Sequence, residues 1–230
     1  MLLAFNTNIS EKYKQSFDDH TLPIITNGFP YEVIRLGDSV LDSFETNQII
    51  FSKYSHLLIS GSALSAASGS EFDEDIIKVI KYFLENEKPI LGICYGHQML
   101  ARSILGPKVC RKMDTPEFGC KKIVIEDNPL FNGISNPIFL ESHNDEVFGL
   151  SKDFEIIATN DKCKVQGYQY KNLPVWGVQF HPEKQFKDGC KMIEDHIVNC
   201  PENKQFYINE VEGPTILEQN FQIFSNFLKE

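Results

Sequence analysis

The stretch Gly92-Ile-Cys-Tyr-Gly-His-Gln98, entered from the apolar run Pro89-Ile90-Leu91, constrains this chain more than any other. An apolar run that ends in G-x-C-x-G reads as a buried strand turning sharply into a helix. Gly92 and Gly96 leave room where side chains would collide at such a turn. The turn pushes Cys94 out at the carboxyl end of the strand, where a helix begins. A helix N-terminus favours negative charge and so favours the thiolate. That arrangement presents a nucleophile. The plainer alternative is a cysteine acting as a small buried hydrophobe.

A second strand-end feature lies near the other end of the chain. Val175-Trp-Gly-Val-Gln-Phe180 is rich in β-branched and aromatic residues and runs into His181-Pro182-Glu183. A cysteine nucleophile needs a base, and the base needs an orienting group. His181 suits the first role and Glu183 the second, with Pro182 stiffening the turn between them. Alone, His-Pro-Glu is weak, since a strand-end histidine is often a satisfied surface residue and His-x-Glu also ligates metal. Paired with the elbow, it points to a Cys94-His181-Glu183 triad.

Together these two motifs resemble the class I, triad-type glutamine amidotransferases. Tyr31–Arg35 resembles the early strand of that family, and Glu117-Phe-Gly119, Pro129-Leu-Phe131, Ser142-His-Asn-Asp145 and Val147 resemble the amidotransferase domain of GMP synthase in particular. The resemblance runs from about residue 30 to 183. It implies a flavodoxin-like α/β fold. It also implies hydrolysis of the L-glutamine side-chain amide through a γ-glutamyl thioester on Cys94, with no cofactor and no metal.

Further roles follow from the resemblance. Oxyanion donors are expected at the Tyr95 amide and in the loop Ser60-Gly61-Ser62-Ala63. The family usually carries two successive glycines and a proline in that loop; here Ser62 and Ala63 replace the second glycine and the proline, which puts its geometry in question. Gln98, Ser142 and His143 are implied to contact the substrate, the last two mainly through their backbone. Asp145 reads equally as a capping residue or as part of the pocket. His20, His56 and His196 read as ordinary surface or helix histidines, and Trp176 as a packing residue. The run from Ser60 to Ser65 also faintly resembles the pyrophosphate loop of ATP-pyrophosphatases, but Leu64 replaces its aspartate.

The alternation of elements in the first half predicts a parallel sheet with right-handed crossovers. Strands are expected at Leu2–Phe5, Tyr31–Leu36, His56–Ser60 and Pro89–Ile93. Helices are expected from a capping box at Asn8/Glu11 toward His20, from another at Ser70/Asp73 over Glu71–Asn86, and at Gly96–Leu105. A polar loop follows Leu36. The second half carries strands at Lys121–Ile125, Ile138–Leu140, Phe154–Thr159, Val165–Tyr170 and Val175–Phe180, several of them antiparallel at the sheet edge. Two helices, Lys187–Asn199 and Thr215–Lys229, form the tail, with a break at Cys200-Pro-Glu-Asn203. A single domain spanning 1–230 is expected, with a catalytic core over about 1–185.

The chain carries 22 basic and 32 acidic residues, a net charge of −10, which disfavours nucleic acid and anionic membrane as partners. No apolar run approaches the roughly 20 residues of a membrane span. No signal peptide is evident, so the six cysteines read as reduced thiols of a cytoplasmic protein. The partners expected are L-glutamine or another γ-glutamyl compound, and a separate ammonia-accepting synthase. Three other readings compete: a free-standing γ-glutamyl peptidase with the same triad, a regulatory module without turnover, and an α/β-hydrolase using cysteine.

Overall fold

The computed structural model describes residues 1–42, 51–210 and 215–230. Four short runs with both faces buried form its centre: β1 (Leu2–Asn6), β3 (His56–Ile59), β4 (Ile90–Ile93) and β10 (Val175–Val178). Buried parallel strands read as continuous apolar stretches because helices cover both faces. β2 (Tyr31–Arg35) pairs with β1, so the parallel order is β2-β1-β3-β4-β10. β9 (Gly167–Tyr170), β8 (Phe154–Thr159) and β6 (Val124–Ile125) continue the same sheet antiparallel, giving eight strands. This is the mostly parallel α/β sheet with an antiparallel edge that the sequence predicts.

Alternate residues feed two cores. Leu3, Phe5, Leu57 and Ile59 meet Ile76, Val79, Ile80 and Phe83 of α4 (Asp73–Glu85) and Met99 and Leu100 of α5 (Tyr95–Leu105). Leu2, Ala4, Leu58, Leu91 and Ile93 face Leu22 and Ile25 of α2 (Leu22–Thr26) and Ile223, Phe224 and Phe227 of α8 (Gln222–Phe227). Ile76, Val79, Ile80 and Phe83, at helical spacing, thus form the buried stripe of α4, with Phe72 partly buried at its start.

Several local expectations are corrected. Helix α1 covers only Glu11–Ser16, and a π-helical turn, Phe17–Thr21, joins it to α2. Its N-cap is Ser10, not Asn8, whose side chain donates to Asn6 Oδ1 at 2.9 Å. Ser70 does reach Asp73 at 2.9 Å, but α4 starts only at Asp73, whose carboxylate also pairs with Arg102 at 2.6 Å. The polar loop after Leu36 contains the short α3 (Ser39–Asp42); its residues 43–50 lie outside the described residues.

The largest departure is a second sheet. β5 (Cys110–Lys122) and β7 (Ile138–Val147) pair antiparallel, and β11 (Tyr207–Asn209) joins β5 in parallel. Only fragments of β5 and β7 are apparent in the sequence, and β11 is not. The tail holds α6 (Phe186–Asn199), a 3-10 turn at Pro201–Phe206, β11, the short α7 (Thr215–Glu218) and α8. Among the described residues, no helix is long and apolar enough to cross a membrane.

Candidate active site

Parallel pairing lines up the carboxyl ends of β1, β3, β4 and β10, where such sheets hold ligands. Ile59 pairs with Gly92, and Gly92 with Gly177. Chain segments leaving these strands therefore meet: Thr7, Ser60-Gly61, Cys94 and His181.

The elbow is as tight as its sequence implies. A Cβ on Gly92 would stand 2.5 Å from the Gly96 carbonyl oxygen, and one on Gly96 2.5 Å from that of Ile59. Cys94 sits at φ 50°, ψ −103°, a conformation that costs a non-glycine residue about 1–3 kcal/mol. Its backbone is held at both ends, by Cys94 N donating to Val178 O at 2.8 Å and Gln98 N donating to Cys94 O at 3.1 Å. The strain aims the side chain into the cavity at the mouth of the sheet.

Across that mouth, His181 Nδ1 lies 2.8 Å from Glu183 Oε1, and both side chains are buried. Burial alone would push the imidazole down. The charges of Glu183 and Cys94, with hydrogen bonds to both, overcome it and raise His181 to about 10. Burial likewise works against the Glu183 carboxylate, but the His181 charge holds it below its ordinary value. Nδ1 faces Glu183, so Nε2 is the nitrogen left for Cys94. Cys94 of the elbow and His181 of the His-Pro-Glu segment, 87 positions apart in the chain, are thus brought into contact.

Gly61 lies against both: a Cβ there would stand 2.9 Å from His181 Cε1 and 3.5 Å from Cys94 Cβ. Neither Gly61, Ser62 nor Ala63 has a positive φ, so serine and alanine replace the family's usual residues without backbone strain. Tyr95 is the first residue of α5, and its amide has no acceptor within the helix.

Gln98 lines the cavity, but its Nε2 donates to the Asp145 carbonyl and to Gln179 Oε1, both at 3.0 Å. Ser142 presents its carbonyl 3.9 Å from Cys94 Sγ. The His143 side chain is turned to other work. Its Nδ1 lies 3.0 Å from the Asp145 carbonyl, and its Nε2 lies 3.3 Å from Glu117 and 3.2 Å from Glu141. Its polar neighbours are thus one carbonyl and two carboxyl groups. Burial opposes a charge on the imidazole, but the two carboxylates raise His143 to about 10. Burial also raises Glu141, while Glu117 is brought down to about 2 against its burial by His143 and Lys121. Lys121, Asn160 and Gln166 complete the shell of Glu117 at 2.6, 2.9 and 3.0 Å. No pattern in the sequence marks this ionic cluster beneath the site.

Asp145 combines its two expected roles. Its carboxylate accepts from Ser65 Oγ at 2.6 Å and Ala67 N at 3.0 Å, capping that turn, and it also lines the cavity. His56 proves to be buried, edge-on to Phe29 and Phe227. His196 stacks on Phe118 at 3.9 Å in the far wall of the cavity, and Trp176 is buried with Nε1 donating to Asn128 at 3.2 Å. The cavity holds about 450 Å³. α1 and α6 face each other across it, joined by Lys12–Asp195 at 3.2 Å. Among the described residues, no group of three or more His, Cys, Asp and Glu side chains is arranged to hold a metal.

Residues 22–200 match the family model for class I glutamine amidotransferases. The chain belongs to that family. Among its relatives is the glutamine-hydrolysing GMP synthase subunit of Thermoplasma volcanium, 34% identical over 163 residues, which cover 68% of this chain and 77% of that protein. The GMP synthase of Bacteroides fragilis is 36% identical over 152 residues, but this amidotransferase spans only 29% of its length. The crystal structure of a GMP synthase subunit from Thermoplasma acidophilum matches at TM-score 0.62 and 26% identity, covering 89% of this chain and 96% of that one. A Thermotoga maritima glutamine amidotransferase matches at TM-score 0.66 and 18% identity over 99% and 95% of the two chains, a likeness of fold.

Proposed function

We propose that this chain is the glutaminase partner of a two-protein enzyme, a single catalytic domain that releases ammonia from L-glutamine in the cytoplasm and passes it to a separate synthase. The observation that carries the proposal is the convergence of Cys94, His181 and Glu183 at one cavity. Likeness to the two Thermoplasma proteins supports glutamine as substrate and a GMP-forming synthase as partner.

Cys94 attacks the side-chain amide carbon. The oxyanion forms against the amides of Tyr95 and the Gly61-Ser62 loop. His181, protonated beside Glu183, gives its proton to the departing ammonia, leaving a γ-glutamyl thioester. His181 then takes a proton from water as the water attacks, and glutamate leaves. Glu183 keeps the imidazole oriented. Gln98, Ser142 and His143 set the wall the substrate lies against, with the Ser142 and Asp145 carbonyls fixed by their neighbours. Burial pushes the thiols of Cys110 and Cys120 up to about 12, and that of Cys163 further, which disfavours the thiolate at those three positions.

A second reading has its own support. The cavity runs on past Cys94 to Tyr13, Met192 and His196, which leaves space for a γ-glutamyl substrate larger than glutamine. Steady-state ammonia release by the isolated chain separates the two. Weak glutaminase activity that rises when a GMP-forming synthase is added supports the ammonia-delivering role. Fast, partner-independent cleavage of γ-glutamyl peptides, with glutamine ignored, overturns it.

A further inference from the structure

The exit of β3 carries a knot of hydroxyl contacts that the mechanism above leaves unused. Thr7, fully buried just after β1, donates its amide to Ser60 Oγ at 2.9 Å. Its hydroxyl lies 2.9 Å from the Ser60 carbonyl and 3.2 Å from that of Gly61. Ser60 Oγ lies 3.0 Å from the Gly61 carbonyl and 3.1 Å from Thr7 Oγ1. Two hydroxyl protons thus meet two carbonyls: Thr7 holds that of Ser60, and Ser60, itself fixed by the Thr7 amide, holds that of Gly61.

The direction of these carbonyls has a consequence for the amides that follow. Successive carbonyls of an extended strand point to opposite sides, but here both point toward β1. In a trans peptide the next N–H points the opposite way. The amides of Gly61 and Ser62 are thereby turned away from β1. β3 lies between β1 and β4, so that side is the side of Cys94. The close approach of Gly61 to Cys94 and His181 agrees. Two successive N–H groups on one side form an anion-binding nest. With no positive φ in the loop, hydrogen bonds rather than glycine geometry hold this shape.

We infer that Thr7 is a positioning residue: it turns the Ser60–Ser62 backbone so that the Gly61 and Ser62 amides face the oxyanion formed at Cys94. It does not line the cavity and so acts through the loop. The inference rests on Cys94 being the nucleophile of the proposed function.

The test compares Thr7→Val, which keeps the shape and removes the hydroxyl, with Thr7→Ser, which restores it. Two readouts accompany turnover. A γ-glutamyl aldehyde adds to the Cys94 thiol: the S–C bond forms, the carbonyl π pair moves to oxygen, and that oxygen takes up the thiol proton. The adduct uses the oxyanion donors. Iodoacetamide alkylation of Cys94 reports the nucleophile without them. For Thr7→Val, kcat is expected to fall about 10- to 100-fold with KM within about twofold, and aldehyde affinity to fall by a similar factor. Alkylation stays at the wild-type rate, and Thr7→Ser recovers most of the loss. Thr7→Ala serves the same comparison should the valine variant not fold. Wild-type aldehyde affinity in Thr7→Val, or a matching loss of alkylation rate, overturns the inference. A wild type that binds the aldehyde yet releases no ammonia from glutamine overturns the functional reading alone.

Discussion

The main-chain amide of His181 donates to the Leu140 carbonyl at 2.8 Å, an isolated bridge between the two sheets. Two residues further along β7, the Ser142 carbonyl lies 3.9 Å from Cys94 Sγ. Cys94 and His181 are therefore both gauged against one strand of the second sheet. Whatever fixes β7 fixes the distance between them.

The Cys94 backbone supplies a first prediction. At an ordinary buried position glycine is less stable than alanine by roughly 0.5–1 kcal/mol. At φ 50° the order reverses. Cys94→Ala and Cys94→Gly should both lose all glutaminase activity, with the glycine variant melting at the higher temperature. Thermal melts of the two proteins decide it, and a less stable glycine variant would contradict the strain.

A second prediction concerns Glu183. Removing its charge leaves burial to act on His181, whose raised value of about 10 must then fall. The alkaline limb of the kcat/KM profile should move to lower pH in Glu183→Gln. The loss of kcat/KM should be smaller than in His181→Ala, because Glu183 orients the base and carries no proton. Full pH profiles for both variants check the shift and the ranking together.

The ionic cluster under β7 gives a third. His143→Gln removes the cation that faces Glu117 and Glu141 inside the protein, which should destabilise it by about 3–5 kcal/mol. Its pH dependence has a defined sign. The folded value of about 10 stands above the ordinary 6.5, so the stabilisation is complete below 6.5 and is lost as pH rises through 10. Denaturant melts between pH 6 and 10 should fall more steeply for the wild type than for His143→Gln. Parallel slopes would remove His143 from the account.

His56 predicts the opposite dependence. Burial first, then the N-terminal ammonium, lowers it from 6.5 to about 4. The unfolded chain therefore binds a proton at a pH where the folded one does not, and stability falls as pH drops from 6.5 toward 4. His56→Phe, seated between Phe29 and Phe227, should flatten that decline in melts over the same range. A decline of unchanged depth would mean that other groups cause it.

Much of this molecule is legible in its sequence, and the illegible part has a physical reason. β1, β3, β4 and β10 are buried on both faces, so each is an apolar run, and the elbow announces itself by two glycines that no side chain could replace. β5 and β7 hide their buried faces under charge. Glu117, Lys121, Glu141, His143 and Asp145 are all buried, yet in sequence they look like solvent-facing positions. What ties them together is the Glu117–His143 pair across β5 and β7, which no local pattern records. The same is true of the site. Cys94, His181 and Glu183 carry their chemistry in their motifs, whereas Thr7 is unremarkable until β1 and β3 are laid side by side.

The insertion of β10 beside β4 bears on how the protein is made. Synthesis runs from the amino terminus, so β1, β3 and β4 leave the ribosome with Cys94 already at the tip of an unpaired edge. The strand that covers that edge and brings His181 is among the later ones to emerge. Until it does, the growing chain carries Cys94 without His181 beside it, and β4 with an open edge. The Cys94–His181 contact is withheld from unfinished chains by topology alone, and until β10 arrives the β4 edge is open to pairing with other strands.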